Sequence, residues 1–275
     1  LEGHGREEVL EGVEVTRTVG WFTSFYPVCL EGGSGEEIGV VLKRVKEKLR
    51  GVPGRGLGYL LLKYERGELG AGLAAAEVSF NYLGQFDQAL AGSGGSESRF
   101  VVAGERKGNG RSERGERTHL IEVNGGVAGG QLHLAWDYSR GVHRRETIEE
   151  LARRYEQALA EVIEHCAEAV GYTPSDFELA RLNQAEVDEL FGAQRGIEDV
   201  YPLSPMQQGM LFHSLYEPEG GAYAAQTSYG IAGEFNEEAF AQAWRRVIEQ
   251  HSVLRTSFIW GGVAEPLQVV HREVE

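Results

Sequence analysis

Glu2, His4, Arg6 and Glu7 crowd into the opening residues of this chain, with Gly3 and Gly5 between them. Two carboxylates, an imidazole and a guanidinium that close together can take up, hold and return a proton, the work of general acid and base groups. A carboxylate does that work near neutral pH only where apolar surroundings raise its pKa. The plainer alternative for Glu2 is an ion pair with Arg6. A second polar set, Asn81, Tyr82 and Asp87, sits in the run from Glu77 to Asp87. An amide and a phenol at a strand end can offer donors to a developing negative charge, or simply satisfy a buried turn.

The elements that must position these groups follow from composition and period. Arg17 to Leu30 is rich in aromatic and β-branched residues, and this predicts a buried strand. Ile38, Val41, Leu42, Val45 and Leu49 recur at helical spacing, with Lys43, Arg44, Lys46 and Lys48 on the other faces, before Gly51-Val52-Pro53-Gly54 ends the helix. Gly54-Arg55-Gly56-Leu57-Gly58 follows a helix and not a strand, so it reads as a turn and not as a nucleotide loop. Alternation from Glu77 to Asp87 predicts a strand running into a loop, and the Gly- and Ser-rich residues 91–117 read as loop with weak strand content near Phe100. Strands are expected at His119 to Val123 and Gln131 to Tyr138, turning through Asn124-Gly125-Gly126. A long helix is expected from Thr147 to about Ala167, striped by Ile148, Leu151, Tyr155, Leu159, Val162 and Cys166.

From Gly171 to Glu198 the chain turns polar and Pro-punctuated, the character of a linker. A second unit opens at Asp199: Ser204 is an N-cap with Pro205 at the first helical position, and a helix should reach Tyr216. Ala222 to Ala232 reads as a strand, Asn236 as the cap of another helix, and Arg255 to Trp260 and Pro266 to Val270 as strands.

The net charge of −15 argues against nucleic acid or an anionic membrane as partner, because both need a positive field. No apolar run approaches the ~20 residues of a membrane span. Cys29 and Cys166 lie in apolar stretches without metal-like spacing, so the chain reads as cytoplasmic, with reduced, buried thiols and no metal site. It begins without Met inside a motif and stops just after a strand-like run, which reads as a piece of a longer polypeptide.

Four stretches go further: Glu2-Gly3-His4-Gly5-Arg6-Glu7; Arg17-Thr18-Val19-Gly20-Trp21-Phe22-Thr23-Ser24 with Tyr26-Pro27; Pro53-Gly54 with Gly56 to Tyr59; and Phe80-Asn81-Tyr82-Leu83-Gly84-Gln85-Phe86-Asp87. Their order and spacing resemble the epimerization domains of nonribosomal peptide synthetases. From Asp199 the chain resembles the start of a condensation domain of the same synthetases, through Tyr201 to Met210 and His251 to Phe258. The resemblance implies an α/β fold of the chloramphenicol acetyltransferase-like, two-lobed condensation/epimerization kind, with both domains truncated. It places the C-terminal lobe of an epimerization domain at residues 1–170, a linker at 171–198 and the start of a condensation domain's N-terminal lobe at 199–275.

By the same resemblance Glu2 is the proton carrier for epimerizing a carrier-bound aminoacyl or peptidyl thioester from L to D, with Glu7 competing for that role. Asn81 and Tyr82 are active-site residues, His4 supports, and Arg255 supports by an ion pair the aspartate of a His-His-x-x-x-Asp-Gly motif. That motif is absent from residues 1–275, so this piece alone is expected to complete neither reaction. The implied partners are peptidyl carrier domains, whose phosphopantetheine holds the thioester; no cofactor is expected to bind directly. The Pro205-Met206-Gln207-Gln208-Gly209-Met210 form looks like condensation domains that follow an epimerization domain and accept a D-configured donor. A non-catalytic docking module of the same fold, or a stand-alone acyltransferase, is the competing reading.

Overall fold

The computed structural model describes residues 1–3, 12, 14–33, 35–69, 76–85, 115–192, 194–217, 223 and 225–274. His4, Arg6, Glu7, Asp87 and the weak strand expected near Phe100 lie outside them. The chain divides into two compact units, one of Leu1–Gly67 with His165–Glu275, the other of Glu68–Glu164. Both contain helices and sheets, so the α/β class read from the sequence stands. Among the described residues no helix is long and apolar enough to cross a membrane.

In the Glu68–Glu164 unit, β3 (Val78–Gln85) pairs in parallel with β4 (Ile121–Ala128), and β4 pairs antiparallel with β5 (Gln131–Tyr138). Helix α3 (Arg145–Glu168) supplies Ile148 to a small core with Ile121 and Val123, and Tyr155 meets the rings of Phe80 and Trp136 at 5.9 and 6.0 Å. The β4–β5 turn lies at Gly129-Gly130 and not, as expected, at Asn124-Gly125-Gly126. Both glycines hold positive φ, 60° and 71°, as the tightest two-residue hairpin demands. Gly125 stays inside β4 because it must lie flat against its neighbour: a Cβ there would stand 2.3 Å from Leu134 Cδ2 and 2.6 Å from His133 O.

In the other unit, β1 (Glu2–Gly3) pairs antiparallel with β2 (Ser24–Phe25). The long buried strand expected from Arg17 to Leu30 is reduced to those two residues, with Val19 at 99% and Trp21 at 89% exposure. Aromatic and β-branched residues make a strand only where a partner strand and a face to bury exist, and among the described residues β1 offers two residues of edge. Helix α1 (Ile38–Arg50) forms as read and ends on Gly51. A tight turn at Pro53–Gly56 leads into α2 (Leu57–Leu60), which widens into a π-helical turn at Leu61–Glu65.

The stretch expected as a linker is packed. Phe177, Ala180, Val187, Phe191 and Ile197 from it form a core with Val200, Leu267 and Val269. Two short helical turns, Pro174–Asp176 and Glu178–Ala180, precede α4 (Gln184–Phe191), which Asn183 caps in a reciprocal box with Glu186. Beneath them β8 (Leu267–His271) runs between β6 (Ile197–Pro202) and β7 (Thr256–Ile259), antiparallel to both. Helix α5 (Pro205–Tyr216) is capped by Ser204 as expected, and α6 (Glu237–Gln250) by Asn236, whose Oδ1 accepts the Ala239 N–H at 2.9 Å. Of the strand expected from Ala222 to Ala232, residues 225–232 are exposed and pair with no strand among the described residues. Cys29 and Cys166 are exposed, correcting the expectation of buried thiols; Leu30 and Ile163, among the apolar neighbours that suggested burial, face water themselves.

Candidate functional site

Three of the motif stretches meet at Tyr26. Glu2 lies opposite Phe25 and Gly3 opposite Ser24, and the Tyr26 N–H extends the pairing by donating to Leu1 O at 3.1 Å. Gly3 leaves no room for a side chain: a Cβ would stand 2.8 Å from Ser24 Oγ and 3.7 Å from Tyr26 Cε1. Ser24 is buried beneath this contact. On the other side, Gly56 has φ +78° and carries the Tyr26 ring against its Cα. Arg55 beside it is itself left-handed at φ 47°, so the turn Pro53–Gly56 is held in an unusual shape that presents bare backbone to the ring. Glu2 projects from this assembly into solvent.

Tyr26 and Gly56 escaped the reading of the sequence as a working pair, because Gly54-Arg55-Gly56 taken alone is a turn. The available signal was Gly56 within a glycine-rich stretch, marking either a left-handed residue or a close approach; here it is both.

Asn81 and Tyr82 sit in the middle of β3, opposite Asn124 and Gly125. The Asn81 Nδ2 donates to Asn124 Oδ1 at 3.3 Å, so its amide is oriented by a matching amide on the next strand. Successive strand residues face opposite ways, so Asn81 and Tyr82 serve different sides of the sheet. Tyr82 shares its side with Phe80, whose ring meets Tyr155 of α3. Both side chains are exposed. His4 and Glu7, expected beside Glu2, lie outside the described residues.

Arg255 is buried, with 7% of its surface exposed, and every nitrogen of its guanidinium is engaged. Nε donates to Ile248 O at 3.0 Å and Nη2 to Glu249 O at 3.3 Å, which satisfies carbonyls of the last turn of α6. Nη1 pairs with Glu198 Oε2 at 2.7 Å and also reaches the carbonyl of His271. One cation thus ties the end of α6 to β6 and β8. Glu198 was not singled out in the sequence, where nothing connects it to a residue so far along the chain. Gln207 has a double part: Oε1 accepts the Ser204 N–H at 2.8 Å and Nε2 donates to Gln268 Oε1 at 3.2 Å, joining α5 to β8.

The family model for the condensation domain matches residues 1–182 and 197–275, which hold all of these motif positions. The chain belongs to the condensation-domain family. Over its whole length this condensation-family chain is 52% identical to a linear gramicidin synthase polypeptide of Brevibacillus parabrevis, of which it covers 4%. Over 98% of its length it is 36% identical to bacitracin synthase 3 of Bacillus licheniformis, of which it covers 4%. A solved structure, the epimerization domain from the third module of tyrocidine synthetase B, is similar over 60% of this chain and 36% of that one, at 37% identity and a TM-score of 0.49. The chain spans about 4% of the length of each of these two synthases. Between its two condensation-type stretches lie residues 183–196, which contain α4.

Proposed function

We propose that residues 1–170 are the C-terminal lobe of an epimerization domain, that 199–275 open the next condensation domain, and that 171–198 join the two. The observation that supports this most is the meeting of Glu2-Gly3, Ser24, Tyr26 and Gly56, which come from three separate motif stretches and pack on one another. Motifs that share one contact point serve one site, and the exposed group at that point is the Glu2 carboxylate.

In this reading the substrate is an L-aminoacyl or peptidyl thioester on the phosphopantetheine of a carrier domain. The Cα–H bond breaks, its proton passes to a base, and the electron pair moves into an enolate whose charge rests on the thioester oxygen. A proton then returns to Cα from the opposite face. Glu2 is the carrier on one face, and a histidine of the upstream lobe serves the other. Glu2 is exposed here, and in this reading the complete domain and the substrate wall it off from water. Asn81, set by Asn124, is the donor that would meet the enolate oxygen; Tyr82 lies on the other side of the sheet, with Phe80. His4 keeps a supporting role, and Arg255 acts in the condensation stretch by holding α6 on β6 and β8.

The test uses the complete synthetase module loaded with an L-aminoacyl carrier in heavy water. Wild type incorporates deuterium at Cα, and Glu2→Gln suppresses that incorporation by a hundredfold or more, at the scale of a lost general acid–base group of roughly 10²–10⁴. Undiminished exchange in Glu2→Gln moves the role to Glu7.

A further inference from the structure

The join between the two condensation-type stretches is gripped from both sides. Lys43, Lys46, Glu47 and Arg50 recur at spacings of three and four and so share one face of α1. Against that face lies the start of the joining segment. Lys46 Nζ meets Asp176 Oδ2 at 2.5 Å, Arg50 Nη1 meets Asp176 Oδ1 at 2.8 Å, and Lys43 Nζ meets Asp188 Oδ1 at 2.5 Å. Glu47 supplies the opposite polarity: its Oε1 accepts from Ser175 Oγ at 2.5 Å and from Ser175 N–H at 3.2 Å. Arg50 also donates to Ser175 O and Oγ.

The acidic partners are also held by bonds within their own segment. Asp176 Oδ2 accepts the Thr173 N–H at 2.9 Å and closes a capping box, and Thr173 is itself buried. Asp188 sits on α4, whose N-terminus Asn183 caps, and accepts from Gln184 Nε2 at 3.0 Å. Surface ion pairs are weak chiefly because two long side chains must be ordered for one contact; here bonds within the segment also hold the carboxylates. The reverse side of the same segment sends Phe177, Val187 and Phe191 into the core against Val200, Leu267 and Val269.

We propose that residues 173–191 are an ionic clasp that fastens α1 to the sheet of β6, β8 and β7, so that α1 and that sheet turn as one body and do not swing on a tether. The clasp depends on the family match and the observed contacts, not on the epimerization reading. For the synthetase proposed above, its consequence is that the Glu2 stretch and the following condensation stretch keep a set spacing, and the carrier-bound intermediate must itself cross it.

The test measures distance in the intact chain. Spin labels at Lys48→Cys on α1 and Glu265→Cys between β7 and β8, in a Cys29→Ser, Cys166→Ser background, report the spacing by pulsed dipolar spectroscopy. The parent chain gives one narrow distance distribution. Asp176→Asn with Asp188→Asn retains the cap acceptors, removes both charges and broadens the distribution at least twofold. A broad distribution in the parent, or an unchanged narrow one in that variant, overturns the clasp. Where circular dichroism shows the double variant unfolded, the exposed pair decides: Lys43→Glu broadens the distribution and Lys43→Glu with Asp188→Lys narrows it again. Failure of the swap to narrow it overturns the proposal.

Discussion

The Tyr26 ring covers Gly56 so closely that a Cβ on Gly56 would stand 1.9 Å from Tyr26 Cδ1. Gly56 is buried and left-handed at φ +78°, so alanine there meets both a steric and a conformational penalty. Gly56→Ala is expected to cost about 3 kcal/mol, the sum of a strained left-handed residue and an overpacked contact. Urea unfolding measures it, and Tyr26→Ala in the same background should recover the steric part alone. A cost below about 0.5 kcal/mol, the level of an ordinary surface change, would remove this pair as the organiser of the Glu2 strand.

Phe191 is fully buried and packs edge-on against Phe177 at 5.6 Å between ring centroids. If residues 171–198 were a tether, its truncation would be silent. Phe191→Ala is instead expected to destabilise by about 3–5 kcal/mol, as for other buried aromatics. Thermal unfolding followed by near-ultraviolet dichroism reads the loss.

Burial pushes the Asp176 carboxyl up, but its bonds with Lys46, the Thr173 N–H and Arg50 outweigh burial and hold it below the usual carboxylate range. Glu47 follows the same pattern: burial raises it, while Ser175 and Thr173 bring it below normal. Groups with lowered folded pKa bind fewer protons folded than unfolded, so stability rises with pH through their range. Their contribution is complete above the ordinary carboxylate values of about 4, and is lost as pH falls through the lowered folded ones. The urea midpoint should therefore hold above about pH 5 and drop as pH falls from there toward about pH 2, and drop less in Asp176→Asn with Glu47→Gln. An identical slope in that variant would show that other carboxylates carry the acid sensitivity.

Gly125 faces Leu134 and the His133 carbonyl at distances that exclude a methyl group. Gly125→Ala is expected to cost about 2 kcal/mol by overpacking and to loosen β4 against β5. Amide exchange at Ile121 to Ala128 should quicken, while exchange in β8 stays as it was. Equal protection of β4 in both proteins would mean that the sheet absorbs the methyl group.

What was readable without coordinates follows the range of the forces involved. The span of α5, its Ser204 cap and the Asn236 cap of α6 were legible because capping and helical period act over three or four residues. The strand at Asn81 and Tyr82 was legible from alternation. The Arg17 to Leu30 strand and the Ala222 to Ala232 strand were misread because a strand exists only when another edge accepts its hydrogen bonds, and that edge lies elsewhere in the chain. The turn was placed at Asn124-Gly125-Gly126 because glycine serves equally for a turn and for a close approach, and only the packing of Leu134 separates the two.

The sequence by itself determined the family, the α/β class and most of the helices, since motif order and local periodicity need no partner to be recognised. The tertiary structure alone decided that Tyr26 rests on Gly56, that Asn81 is held by Asn124, that Arg255 is paired with Glu198, and that the polar joining segment is packed between α1 and β8. Each of those facts is a contact between residues at least 30 positions apart, and long-range contacts are set by which surfaces exclude water together, a property of the folded chain as a whole.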